Sequence, residues 1–428
     1  MYKRQDQQEQ QKEAKDAQMP PAQSPVSRYL GATLIIGLLL ALTFFSGFVA
    51  LLVVLALILM IFLHELGHYL TARWTGMKVS GFFLGFGPRL WSFRRGETEY
   101  GVRALPLGAY VRIIGMSNLE EIPPDEEHRT YRAKPYSSRL LVAVAGSMMH
   151  FLLAIGVLWF VFSAIGYFPL NASAEERSRE WNIAEVIPDT PADAAGFQAG
   201  DKIVGVNGVP LNSRIETVAF IEQRPGQSVN FEVERDGQIV NLRSDIGTNA
   251  SGEGRIGISL RQLTPPPAGF FEGLGQSFTE FGEVTRLSTL GLWEVFSPGG
   301  LQNLWDDVFG DDPEPVIGEG SGESRAVSIY GVSRIAIDLG DSGDWGVVLF
   351  LFAAINIFVG LFNLVPLPPL DGGHVAVATY EKLRSRKDRP HRIDAAKLLP
   401  LQYLVLILLI AVFAAVLYLD VSNPIGGS

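Results

Sequence analysis

The stretch FLHELGHYL, residues 62–70, decides how the rest of the sequence is interpreted, because it places a metal-ligand pattern at the end of an apolar run. His64 and His68 are four residues apart and share one face of a helix, with Glu65 beside them. This H-E-x-x-H spacing is typical of zinc sites in which two imidazoles bind the metal and the glutamate acts on water. Residues 48–63 contain no polar side chain, whereas a soluble helix of this kind has one polar face. The sequence therefore predicts a metal site inside a membrane.

Composition agrees with a membrane protein. The chain has 428 residues, of which 47% are hydrophobic and 19% charged, a charged fraction below the roughly 25% of soluble domains. It contains no cysteine, which leaves histidine and carboxylate side chains as the strong ligands for a transition metal. The net charge of -10 gives no basic footprint, so nucleic acid is not an expected partner. The hydrophobic composition makes the lipid bilayer an expected partner.

The apolar residues collect in blocks that can cross a bilayer. One helix from Tyr29 to about Trp74 would be about 65 Å long, roughly twice the hydrocarbon thickness, so we predict a break near Ser46-Gly47. The predicted N-terminal segments are a disordered tail (1–28), a segment whose crossing of the membrane the sequence leaves open (29–46), the motif helix (47–74) and a re-entrant β-loop region (75–136). They are followed by a second span (137–167), an external domain (183–262), a partly mobile linker (263–345), a third span (346–380), a basic loop (381–397) and a last span (398–420). Within the linker, the sequence predicts a helix over 270–296 and a short clamp-like strand over 326–332.

Basic residues predict the orientation. Lysine and arginine concentrate in regions 75–136 and 381–397, which are therefore expected on the cytoplasmic side. The long acid-rich segment 167–345 lies between these two regions and is expected outside the cell membrane. The N-terminus is cytoplasmic if residues 29–46 cross the membrane and external if they do not.

A third zinc ligand is expected in the stretch NLVPLPPLDGGH, residues 363–374. Asp371 is the only carboxylate between Asp344 and Glu381, and an ionised carboxylate at membrane depth is costly unless it has a function. The prolines and glycines around it predict a helix break, which is tolerated at that depth only where protein or a water-filled cavity covers the backbone. Two distant helices are thus expected to bring ligands to one buried site.

Together, these two motifs resemble those of the site-2 protease family of intramembrane zinc metalloproteases. The second motif, N-x-x-P-x-x-x-L-D-G, is met from Asn363 to Gly372. The stretch GFGPRLWSFRRGETEYGVRALPLGAY (85–110) resembles the family's re-entrant β-hairpin loop, and RWTGMKV, GETEYGV and NPIGG are closest to its actinobacterial branch. The resemblance covers roughly residues 48–425. The chain departs from the family at GSMMH (146–150), where Ser147 and His150 replace the usual proline and asparagine, and at Ala109, which replaces a glycine.

The resemblance implies a polytopic α-helical membrane protein with four core transmembrane helices, a fifth if residues 29–46 cross, a membrane-associated β-hairpin loop and an extracytoplasmic PDZ domain. It implies one Zn²⁺ per chain, held by His64, His68 and Asp371, with Glu65 as the catalytic acid–base and Asn363 binding the scissile peptide or its oxyanion. The implied substrates are single-pass membrane proteins, such as anti-sigma factors or signal-peptide remnants, that an upstream site-1 type protease has already cut. The implied location is the cell membrane, with the active site toward the cytoplasm.

Residues 183–262 resemble a bacterial PDZ domain, because AGFQAGDKIVGVNGVPL (195–211) has its glycine turn before a strand and an Asn-Gly hairpin. Such domains bind extended peptide ends by adding a strand. Two other hypotheses stay open at this point. A catalytically silent PDZ-bearing scaffold is opposed by the intact ligand set and Glu65. A transporter is opposed by the absence of an inverted repeat in the sequence. Asn363 and Asn356 can also be explained as caps of broken helices, and His150 and His374 as structural residues.

Overall fold

The structure is a computed structural model that describes residues 25–116, 122–249, 251–309, 328–341, 343–385 and 391–422. Residues 1–24 of the predicted disordered tail lie outside these ranges, whereas residues 25–28, which were also predicted to be disordered, are helical. Residues 310–327 of the predicted linker lie outside these ranges as well. The chain forms two compact units, the second of which is Leu158–Glu283. The first unit comprises the residues before and after it.

In chain order the longer elements are α1 (Pro25–Trp74), β1 (Val79–Arg95), β2 (Thr98–Ile113), α2 (Tyr136–Phe160), α3 (Ala174–Arg179), β3 (Trp181–Val186), α4 (Pro191–Ala195), β4 (Lys202–Val206), β5 (Val209–Pro210), α5 (Arg214–Glu222), β6 (Ser228–Arg235), β7 (Gln238–Asp245), β8 (Gly247–Thr248), β9 (Gly254–Arg255), β10 (Ile258–Gln262), α6 (Phe270–Phe296), α7 (Pro298–Phe309), α8 (Ile329–Asp341), α9 (Trp345–Asn363), α10 (Asp371–Arg384) and α11 (Leu399–Ser422). Among the described residues, four stretches are long and apolar enough to cross a membrane: Tyr29–Trp74, Tyr136–Ile165, Trp345–Asn363 and Ala396–Ser422.

Helix α1 is interrupted where the sequence predicts it. Gly47 has φ 85° and ψ 169°, so the 50-residue element consists of two helices joined at a non-helical residue. This backbone region is essentially restricted to glycine, because a side chain there clashes with the main chain. The predicted break near Ser46-Gly47 is confirmed.

The β-hairpin β1–β2 forms a small sheet, because each strand bends and supplies two segments. Residues 79–84 pair with 109–113 on one side, residues 81–84 pair with 99–102 on the other, and residues 98–102 also pair with 91–95. The strands meet at a two-residue turn in which Gly96 has φ 64°, as a tight hairpin turn requires. The order across the sheet is 105–113, 79–84, 98–103 and 89–95. The segments 105–113 and 89–95 therefore form its two outer edges.

The LDG region consists of two helices. Helix α9 ends at Asn363 and α10 begins at Asp371, with the prolines of residues 366–369 in the loop between them. The predicted break is thus confirmed. The single predicted segment 346–380 is an apolar helix followed by a separate, more polar one.

The strand predicted over 326–332 is wrong for the part that the structure describes, because Ile329–Asp341 is helical. Residues 326 and 327 lie outside the described ranges. In the following sequence, apolar residues recur every three or four positions, as at Val332, Ile335, Ala336 and Leu339. This is the helical period, and a seven-residue window was too short to reveal it. The helix predicted over 270–296 is present as α6.

The second unit contains the β domain expected over 183–262. Its main sheet has the order β5-β4-β6-β7, and β10 pairs with β3. Alternate residues of β6 point inward, with Val229, Phe231 and Val233 buried, as expected of a strand with one covered face. The Asp201 carboxylate is held by the Arg235 guanidinium at 2.7 and 2.8 Å. The strands begin at Trp181 and end at Gln262, close to the predicted bounds.

Candidate metal centre

The structure brings the three predicted ligands together. His64 and His68 lie on the second half of α1, and Asp371 is the first residue of α10. The His64 and His68 Nε2 atoms are 3.2 Å apart. The Asp371 Oδ2 atom is 3.3 Å from the His64 Nε2 and 3.1 Å from the His68 Nε2. The three donor atoms therefore form a nearly equilateral triangle.

This triangle fits zinc. With ligand bonds of about 2.0–2.1 Å, tetrahedral geometry places neighbouring donor atoms about 3.3 Å apart. Three vertices occupied by protein leave the fourth open, as catalytic zinc sites do. Within the described part of the chain, this is the one cluster of at least three candidate ligands. The donor set is two imidazoles and one carboxylate, which zinc accepts.

A backbone contact orients His68. Its Nδ1 atom is 2.7 Å from the carbonyl oxygen of Val142 on α2. An imidazole that donates its Nδ1–H to a carbonyl presents its Nε2 lone pair to a metal, and the bond also fixes the ring orientation. Helix α2 thus supports the site without supplying a ligand.

Gly146 allows α2 to approach the two histidines. A Cβ atom built at this position would lie 2.4 Å from His64 Cε1 and 2.5 Å from His68 Nε2. Real Cβ contacts of this length are essentially never seen, so any side chain here displaces the ligands. Sequence reasoning missed this residue. The signal that was available was its place at the start of the unusual GSMMH stretch.

Glu65 follows His64 on the same helix and contacts the sheet. The backbone N–H of Val111 donates a hydrogen bond to its carboxylate. Val111 belongs to the outer segment 105–113. One edge of the sheet therefore lies directly against the residue predicted to act as acid and base.

His150 and Asn356 form a second buried polar contact beside the ligands. The His150 Nδ1 atom is 3.0 Å from Asn356 Oδ1, and the Asn356 amide donates to the Phe352 carbonyl at 2.8 Å. The His150 ring centroid lies 5.0 Å from that of His64. The interpretation of Asn356 as a helix cap is wrong, because this residue lies inside α9, where its amide joins α9 to α2. Sequence reasoning considered both residues but had no basis for pairing them.

Asn363 and His374 flank Asp371 along the chain. Asn363 is the last residue of α9, and its role at the scissile peptide stays a prediction. His374 lies on α10, where its ring centroid is 6.2 Å from that of Tyr131. The cluster of candidate ligands contains His64, His68 and Asp371 without it.

Comparisons with known proteins agree with this geometry. The sequence matches the profile of Peptidase family M50 over residues 52–304 and 319–409. It is 33% identical to the zinc metalloprotease Rip1 of Mycobacterium tuberculosis, over 87% of this chain and 96% of that protein. It is 30% identical to the metalloprotease MmpA of Caulobacter vibrioides, over 79% and 88% of the two chains. Among solved structures, the PDZ domain of the SdrC-like protein of Listeria monocytogenes matches 19% of this chain and 87% of its own, at 23% identity and a TM-score of 0.18.

The apolar helices and the partly buried donor triangle define a multi-pass membrane protein of the zinc metalloprotease class. The chain belongs to peptidase family M50, and it is an intramembrane zinc metalloprotease. The resemblance to site-2 proteases inferred from the two motifs is confirmed.

Proposed function

We propose that this protease hydrolyses a peptide bond within the membrane span of single-pass membrane proteins, at a zinc ion held by His64, His68 and Asp371. The observation that carries the assignment of these ligands is the triangle of 3.1, 3.2 and 3.3 Å between their donor atoms. Zinc in such a site supplies Lewis acidity, which makes water nucleophilic near neutral pH.

Glu65 is the acid–base residue of the proposed reaction. Its carboxylate takes the proton from the attacking water and later transfers it to the nitrogen of the leaving amine. The Val111 N–H bond limits the rotation of the carboxylate. A group held in this way loses less freedom when the reacting atoms arrive, which lowers the barrier.

The substrate has to be extended before it can be cut, because a helical backbone is hydrogen-bonded within itself. Segment 105–113 is an outer edge of the sheet and contacts Glu65 through Val111. A substrate segment that adds to this edge exchanges its helical hydrogen bonds for bonds to the sheet. Asn363 is proposed to bind the scissile peptide or its oxyanion with its amide group.

The proposed substrates are anti-sigma factors or signal-peptide remnants that a site-1 type protease has trimmed. The basic regions 75–136 and 381–397 support an active site toward the cytoplasm and a PDZ domain outside. We favour a role for this domain as a filter that excludes, by its size, partners whose external domain is still intact.

The test compares two variants in native membranes. Glu65→Gln retains a side-chain oxygen that can accept a hydrogen bond from the Val111 N–H. The amide is not basic enough to take a proton from water. The variant should therefore keep zinc close to one ion per chain, lose cleavage and retain bound substrates for identification. Asp371→Ala removes a ligand and should lose both zinc and cleavage. Full zinc occupancy in Asp371→Ala, or cleavage by Glu65→Gln, would overturn the assignment.

A further inference from the structure

The first half of α1, residues 25–46, has no place in the proposed reaction. It precedes the region matched to peptidase family M50, which begins at residue 52. At 1.5 Å per residue it is roughly 33 Å long, enough to cross the hydrocarbon layer. Large apolar side chains on it are exposed, among them Leu34, Leu38 and Leu40. Such a surface fits lipid.

This segment contacts the same β-hairpin as the second half of α1. Gly31 is buried, and a Cβ atom built on it would lie 1.8 Å from the carbonyl oxygen of Leu90 in β1. The same strand packs on the second half of the helix, where the Phe62 and Phe82 ring centroids are 5.5 Å apart. In a straight helix Gly31 would be about 46 Å from Phe62 along the axis. Contact with one small sheet therefore requires a reversal, and Gly47 supplies it.

The contact falls on the sheet edge that faces away from the catalytic residue. Leu90 lies in outer segment 89–95, at a bulge between the pairs Arg89–Arg103 and Trp91–Val102. The other outer edge, 105–113, contacts Glu65 through Val111. An uncovered edge strand offers unpaired backbone groups to any extended chain, so covering one edge directs strand addition to the other.

We propose that residues 25–46 form a fifth membrane span, antiparallel to the motif helix, whose Gly31 docks on Leu90 and covers the outer edge of the sheet. An extended substrate segment then adds at edge 105–113, beside Glu65. The last step rests on the proposed function. The crossing of the span and its docking do not depend on catalysis and can be tested without it.

Docking is tested by crosslinking, which is simplified because the chain has no cysteine. Ala32→Cys combined with Leu90→Cys should be joined by a short bis-maleimide. Leu40→Cys combined with Leu90→Cys is the control, because residue 40 lies about 13 Å further along the helix axis than Gly31. No crosslink in the first pair, or equal crosslinking in both, would overturn the docking.

A matched pair of glycine substitutions tests the contact itself. Gly31→Leu places a side chain against the Leu90 backbone and should abolish the crosslink from Ala32→Cys. Gly37→Leu makes the same change on the same helix, where a Cβ atom has nothing within 4 Å, and should leave it unchanged. Equal effects of the two substitutions would count against a specific contact at Gly31.

The side of the membrane from which the start of this segment can be labelled tests whether the segment crosses the membrane. Tyr29→Cys, at an exposed position, should react with a membrane-impermeant maleimide from the same side as Arg94→Cys. Labelling of the two positions from opposite sides would refute a fifth span. This result is independent of proteolysis, because both variants can be made in Glu65→Gln.

The edge is tested with a synthetic apolar single-span peptide that carries one cysteine, in the Glu65→Gln background. It should crosslink to Ala109→Cys and not to Arg94→Cys. With Gly31→Leu added, crosslinking to Arg94→Cys should appear. An unchanged pattern would overturn the role of the span as an edge cover. Crosslinking to neither edge in the parent chain would instead overturn substrate addition to the sheet and leave the docking result standing.

Discussion

Gly146→Ala adds a single methyl group opposite the metal ligands. The new carbon would lie 2.4–2.6 Å from atoms of His64 and His68, whereas unstrained contacts between carbon atoms are about 3.5–4.0 Å long. Either α2 or the two imidazoles must therefore shift by about 1 Å. Zinc–ligand distances tolerate only about 0.2 Å of error. Changes to residues that position zinc ligands typically weaken metal binding about 10- to 100-fold, and we expect a loss in this range.

The control is Gly156→Ala on the same helix, where a Cβ atom has nothing within 4 Å. Both substitutions replace a helical glycine with alanine, which favours the helix by up to about 1 kcal/mol. Any difference between them therefore reports the contact with the ligands and not the strength of α2.

The assay measures zinc per purified chain by mass spectrometry after equilibration with a graded series of chelator concentrations, followed by cleavage of a membrane-span substrate. Gly146→Ala should lose its zinc at roughly 10- to 100-fold less chelator than Gly156→Ala and lose cleavage in parallel. Equal retention of zinc by the two variants across the series would refute the argument that the close approach of α2 to the metal ligands requires glycine at position 146.

Three further predictions test other parts of the molecule. Leu57→Cys, on the motif helix, should resist an impermeant thiol reagent, whereas Arg94→Cys should react from the cytoplasmic side; labelling of residue 94 from outside intact cells would invert the proposed topology. Arg235→Ala leaves the buried Asp201 carboxylate without its guanidinium and should destabilise the β domain by about 2–3 kcal/mol, seen as faster proteolysis within 181–262 of the full-length protein. Arg243→Ala, on an exposed position of β7, is its control, and equal proteolysis of both variants would contradict the prediction. Deleting 183–262 should keep zinc and allow cleavage of substrates that have not been trimmed, if the domain excludes by size; continued rejection of full-length substrate by the deletion variant would count against size exclusion.

The sequence could predict the features that depend on local pattern. The H-E-x-x-H helix, the break at Gly47 and the loop before Asp371 each follow from residue spacing, apolar length or proline and glycine content. The convergence of the two motifs was inferred from chemistry, because an isolated carboxylate at membrane depth needs a partner.

The remaining features depend on contacts between distant segments. Gly146 is required because two imidazoles lie opposite it, and its neighbours in sequence do not reveal that. His150 and Asn356 are separated by 206 residues, and either could have been a cap or a structural residue. The folding of two bent strands into a sheet with two distinct edges is likewise non-local, since register is set by pairing across the sheet.

The donor triangle also has a consequence for biosynthesis. Asp371 follows His68 by 303 residues. At typical translation rates of about 5–20 residues per second, the two histidines precede the aspartate by about 15–60 s. The growing chain thus inserts its motif helix, and the entire β domain is then translated, before the site can be completed. A ribosome that stalls in this interval leaves an incomplete site in the membrane, so neighbouring membrane proteins are exposed to cleavage only after nearly the whole chain has been made.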